Sequence, residues 1–292
     1  MMLKVRYRNG WTLWHFSAAL ALVAACVVVA GNAWADLSTI GWKDEESSHV
    51  LLVPLVVAWL VWVRRGRLRG CEPGGRLIGT FFIAVGWFLW SFGYRQQVQS
   101  FWHLGAVTMA VGGLLTALGK DIFIKFLPAF VVLVFLVPVP STGRQLIALP
   151  LQHAIAQLTQ NVGEVLGMQV ARQGNLLTVN GHEVAIAEAC NGMRMVFTLF
   201  LACYVFAFVT PLRGYVRALV LVASPLVAIA ANVIRLVPTV WMFGHASSAA
   251  AEQFHTISGW VMLVVAFLGL MGIVKVLRWA MVPVAQFTLA VT

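Results

Sequence analysis

The stretch AEACNGMRM, residues 187–195, puts a glutamate, a cysteine and an arginine where a long apolar run begins. A thiol in the first turn of a helix lies among unpaired backbone N–H groups at the positive end of the helix dipole, and both favour the thiolate. Arg194 follows Cys190 by four residues, hence on the same helical face, where a cation adds to that effect. Simpler readings stand beside this one. Cys190 can serve as a small buried hydrophobe, and Arg194 can pair with Glu188 or reach back to the membrane surface.

Further along, Asn232 and Arg235 lie three apart, on one face of the apolar run LVAIAANVIRLVPTVWMFGH. An arginine inside a span costs about 2.5 to 3.5 kcal/mol on insertion scales, so it is expected to point into the bundle and to have a task there. The alternative task is an ion pair with Glu188 or Glu252 that ties helices together. The next run opens with EQFHTISGW and puts His255 at its boundary, where a capping or interfacial role is the simpler reading. Together a thiolate, a histidine and a cation are what acyl transfer needs: a nucleophile, a proton carrier and a group to hold the oxyanion. The residue types point to peptide-bond chemistry at a membrane surface.

The elements that carry these residues are apolar throughout. Of 292 residues 61% are hydrophobic and 10% charged, with mean hydropathy +0.87, against roughly 25% charged in soluble domains. An all-α polytopic membrane protein is expected. Eight runs have the length of spanning helices, roughly 12–32, 48–63, 76–93, 101–118, 122–138, 189–210, 216–242 and 256–276. Lysine and arginine concentrate in one set of connections (Arg64, Arg65, Arg67, Arg69, Lys120, Lys125, Arg213, Arg217), so both termini are expected in the cytoplasm and Cys190 on the outer face. The net charge of +10 is distributed in these short clusters rather than along one polar face, which argues against nucleic acid. The first run, with KVRYRNG before it and AWAD after it, has the form of a signal peptide but is long for one, and retention as an anchor is expected.

No CxxC and no HExxH occurs, so neither a disulfide framework nor a bound metal or other cofactor is expected, although His182, Glu183, Glu188, His245 and His255 could gather on one face. The segment 139–188 is expected outside the membrane, with an interfacial helix carrying Gln152, His153, Gln157, Gln160 and Asn161. It ends in a short β-hairpin turned at Asn180-Gly181 that leads into Glu188 and Cys190. Residues 1–292 are expected to form a single domain.

At this point the chain resembles the exosortase/archaeosortase family of integral-membrane cysteine transpeptidases. EACNGMR keeps Glu188, Ala189, Cys190, Gly192 and Arg194 of the family's first motif; Asn232 and Arg235 match its Asn-x-x-Arg; His255 with Gly259 and Trp260 matches its third. Upstream, DEESSHVLLVPL matches an acidic, Ser-His, Leu-Val-Pro stretch through Ser48, His49 and Pro54. Asn191 and Val50 depart from the usual serine and glycine and point to a divergent branch. The resemblance implies an enzyme of the bacterial inner membrane with Cys190 as nucleophile, Arg235 stabilising thiolate or oxyanion, and His255 as general acid or base, supported by Glu188, Arg194, Asn232 and His49. Its implied substrates are secreted proteins ending in a short motif, often Pro-Glu-Pro, then a hydrophobic helix and a basic cluster. A polysaccharide or lipid acceptor and a link to envelope polysaccharide export also follow from the resemblance. A transporter using Arg235 and Asn232 as a path, or a scaffold subunit, would tolerate Cys190→Ser.

Overall fold

The computed structural model describes residues 11–44, 47–73, 76–185 and 193–279. Glu188 and Cys190 therefore lie outside the described residues. By its internal packing the chain divides into two compact units, Met1–Pro140 and Ser141–Thr292.

The first unit starts with α1 (Leu13–Val29) and α2 (Gly31–Lys43), which meet at an 81° bend. Fully buried Ala30 and Ala33 let the bend close against α5 (Gln99–Leu118). A 3₁₀ turn at Ser48–Leu52 leads into α3 (Val53–Val63), where Pro54 occupies the first turn, a place that lacks an N–H acceptor in any case. His103 of α5 is 1% exposed, and its Nε2 lies 2.9 Å from the Asp36 carboxylate on α2.

Helix α4 (Arg76–Arg95) packs on α5 through glycines seven residues apart, Gly79, Gly86 and Gly93 facing Gly105 and Gly112. A Cβ at Gly86 would stand 2.6 Å from the Met109 nitrogen, and one at Gly112 2.6 Å from the Ile83 nitrogen. Two backbones in contact gain dispersion energy that bulky side chains would forbid, which is how helices associate in lipid. Gly86→Val is accordingly expected to destabilise the protein by about 1 to 3 kcal/mol, because backbone cannot step aside. Gly31→Ala, with no atom within 4 Å of the new carbon, should be neutral, and melting of both variants in detergent checks the contrast. The unit ends in α6 (Lys120–Lys125), α7 (Leu127–Val132) and a 3₁₀ turn to Leu136.

The second unit opens with α8 (Ser141–Val165) and three strands, β1 (Val170–Gln173), β2 (Leu176–Val179) and β3 (His182–Ala185), paired antiparallel in that order. Asn180 and Gly181 take φ of 52° and 80°, the left-handed pair that a two-residue turn of type I′ needs. Where the sequence suggests two strands there is a third: β1 pairs with β2 through Val170↔Val179 and Gln173↔Leu176, across a turn with Gly174 at φ 67°.

Three helices follow, α9 (Met193–Val209), α10 (Gly214–His245) and α11 (Ser248–Trp279). Short turns join them, and their shared core includes Leu199, Cys203, Val220, Ala228, Ala266 and Leu270. Arg217 closes the α9–α10 turn by donating to the Ala207 carbonyl at 2.9 Å, so a cation satisfies the end of α9. Pro225 interrupts the ladder of α10, and the Ser224 hydroxyl donates at 2.9 Å to the Leu221 carbonyl that the proline leaves open.

The chain is a helical multi-pass membrane protein. Among the described residues four helices are long and apolar enough to cross a membrane, five if α1 and α2 count as one broken span, against the eight runs expected. The difference lies in three places. Residues 122–138 are divided at Phe126 and Pro128, 48–63 are partly 3₁₀, and the described helix near Cys190 starts at Met193; each gives an apolar helix of under 18 residues.

Candidate functional site

The arrangement that bears on chemistry lies in the second unit. Valines and leucines of the sheet, Val170, Leu177 and Val179, pack between Ile155 of α8 and Val233, Leu236 and Val240 of α10. Val179 sits against Gly244, where a Cβ would come within 2.6 Å of its Cγ1. Beside it the Asn180 amide donates at 3.3 Å to the Gly244 carbonyl and lies 3.0 Å from His245 Nε2. The sheet is thus fastened to the C-terminal end of α10. Seven residues separate Ala185 at the end of β3 from Met193 at the start of α9, and Cys190 is among them.

Arg194 is the second residue of α9 and half-buried. A cation in a first turn opposes the helix dipole, so helix stability does not account for its place. Asn232 is fully buried on α10, and its Oδ1 accepts a hydrogen bond of 2.8 Å from Arg235 Nη2. The other terminal nitrogen of Arg235, Nη1, lies against Gly259 of α11. His255 is four residues before Gly259, hence one turn away on the same face of α11.

Asn232, Arg235 and the His255 face of α11 are therefore neighbours across one helix seam. Both helices are longer than the expected runs, and this changes the depths. Arg235 lies ten residues from the end of α10 at His245, about 15 Å along the axis, and His255 lies two turns inside α11 rather than at its start. Glu252, considered as an ion-pair partner for Arg235, is exposed.

The other residues named from sequence are dispersed. His182 and Glu183 are exposed on β3, and His245 is engaged with Asn180 and stacks on Trp241 with ring centroids 4.6 Å apart. Among the described residues no three of His, Cys, Asp and Glu are grouped to hold a metal. His49 belongs to the first unit, buried in the Ser48–Leu52 turn. Sequence reasoning overlooked the Gly244–Asn180–His245 clasp, although the Asn-Gly turn was visible.

Cys26, Cys71 and Cys203 are all buried. Burial pushes the Cys71 thiol up, and Asp121 adds to this while Lys125 opposes it. None of the three should react near neutral pH. A maleimide added to membranes is expected to give one adduct that Cys190→Ala removes, read by mass.

Compared with known families, the chain matches the profile described as transmembrane exosortase over residues 41–272. No curated protein and no solved structure matches it. The matched segment includes the Cys190 motif, the Asn232–Arg235 pair and the His255 turn, and the chain belongs to the transmembrane exosortase family.

Proposed function

We propose that the protein is a membrane-embedded cysteine protease or transpeptidase that cleaves C-terminal sorting signals of secreted proteins, of the Pro-Glu-Pro type or a related one. Membership of the exosortase family supports a membrane transpeptidase-type role with secreted proteins as substrates. The observation that carries the reading to residues is the Arg235–Asn232 pair seated against α11, one turn from His255. Two of the three sequence motifs so meet on adjacent helices, and the third is joined to α9 in the same unit.

In this reading the substrate's hydrophobic helix lies in the bilayer and presents its scissile bond at the outer, periplasmic side of the inner membrane. The Cys190 thiolate attacks the carbonyl carbon, and the negative charge passes to the carbonyl oxygen beside Arg235. The C–N bond breaks, the leaving amine takes a proton from His255, and a thioester remains on Cys190. A hydroxyl or amine of a polysaccharide or lipid acceptor, or water, then attacks the thioester, gives its proton to His255 and releases the thiolate. Glu188, Arg194 and Asn232 support this centre. Residues 1–292 act as one domain with eight passes through the membrane and both termini in the cytoplasm, in a system linked to export of envelope polysaccharide.

Co-expression with a secreted reporter bearing a C-terminal motif, hydrophobic helix and basic cluster tests the reading. The reporter should shorten on a blot only when the protein is present with its thiol. Equal shortening without the thiol would favour a metal-dependent protease, and no shortening at all a transporter or scaffold.

A further inference from the structure

We propose that Gly259 is a positioning residue for Arg235: the missing side chain lets the guanidinium cross the seam between α10 and α11 and reach the turn next to His255. The proposal rests on the reading of Arg235 as a member of the reacting centre. Both terminal nitrogens of the guanidinium have a defined place. Nη2 donates to Asn232 Oδ1 at 2.8 Å, and Asn232 is fully buried, so this anchor cannot swing out into a polar medium. Nη1 lies 2.8 Å from the point where a Cβ on residue 259 would stand, well inside the roughly 3.5 Å at which such atoms attract. Only glycine leaves that volume empty. His255 is one turn away on the same face, so the glycine sets how close the cation comes to the histidine's level on α11.

The kind of obstacle decides what a substitution does. At Gly86 the neighbour is backbone, and a new carbon must push the helices apart. At Gly259 the neighbour is the far end of a long flexible side chain, which yields before a helix does. An added methyl group therefore displaces the arginine and leaves the helix where it is. Alanine is also the better helix former, so the variant should hold its fold as well as the parent. Tethered through Nη2, the guanidinium has to turn about Asn232 and draw Nη1 away from α11. Gly269 and Gly272 lie further along the same helix, and neither has an atom within 4 Å of its missing Cβ, which makes them matched controls.

The test uses the full-length protein co-reconstituted in lipid vesicles with the sorting-signal reporter at varied density. Gly259→Ala and Gly259→Ser are each expected to lower kcat roughly tenfold or more with KM within about twofold, as misplacement of a reacting group by about an ångström does. The two losses should be alike, because the first carbon does the damage, while the melting temperature is not lowered. Gly269→Ala should keep the parent kinetics. A parental kcat in Gly259→Ala, or a loss that appears only as a lowered melting temperature or a raised KM, overturns the positioning role. Cys190→Ala measured alongside separates the two failures. A dead Cys190→Ala with an active Gly259→Ala overturns the role of Gly259 alone, whereas an active Cys190→Ala overturns the reading of the site.

Discussion

Replacing Cys190 with serine is expected to abolish processing rather than slow it, with a loss of about 10³-fold or more, equivalent to about 4 kcal/mol of transition-state stabilisation. Serine keeps the shape and puts an oxygen where the sulfur was. It fails because the site as proposed supplies a cation and a histidine suited to a group that ionises near neutral pH, which a hydroxyl does not. No other thiol among the described residues can take over, since Cys26, Cys71 and Cys203 are buried. Pulse-chase of the reporter gives the rate. The parent protein should also accumulate a hydroxylamine-sensitive adduct with the reporter, absent from both Cys190→Ser and Cys190→Ala. A transporter or scaffold would be indifferent to the serine, so a parental phenotype in that variant ends the proposal.

What could be read in advance divides along physical lines. Apolar length and the cost of an arginine in lipid are properties of a segment by itself, and they place Asn232 and Arg235 on one inward face of α10 without any knowledge of its neighbours. The meeting of Arg235 with Gly259 is different. It depends on how deep two helices extend and which faces they turn to each other, and hydropathy ended α10 three residues early and began α11 eight residues late. Hydropathy also counts apolar residues without seeing what divides them, so the break at Pro128 and the 3₁₀ turn before α3 passed as continuous spans. The third strand escaped because β1 is polar, VARQ, and is a strand only through its pairing with β2, although Gly174-Asn175 signals the turn. The glycines of α4 and α5 form a legible seven-residue repeat whose packing role hydropathy does not register: Gly79, Gly86 and Gly93 fall on one face, as do Gly105 and Gly112. For Cys190 the motif stands in the sequence alone, since the residue itself lies outside the described residues.

Arg235→Gln is the variant that assigns the cation its step. Glutamine keeps an amide donor for the buried Asn232 and removes a charge whose insertion costs about 2.5 to 3.5 kcal/mol, so the variant should fold in at least parental amounts. Processing near neutral pH is nevertheless expected to fall about 10² to 10³-fold, the range found when one oxyanion donor is removed. Arg235→Lys should fall in between, since it keeps the charge but has a single nitrogen in place of the fork that spans Asn232 and Gly259. The pH profile then separates the two roles. If Arg235 holds the Cys190 thiol below its ordinary value, the thiol in Arg235→Gln returns toward that ordinary value, and the rate climbs back as the pH is raised and the thiolate reforms. If Arg235 serves the oxyanion, the thiolate is unaffected and the deficit persists at every pH. Parental processing in Arg235→Gln at neutral pH would remove the arginine from the reaction, leaving it a helix tie through Asn232, and would withdraw from Gly259 the task assigned to it.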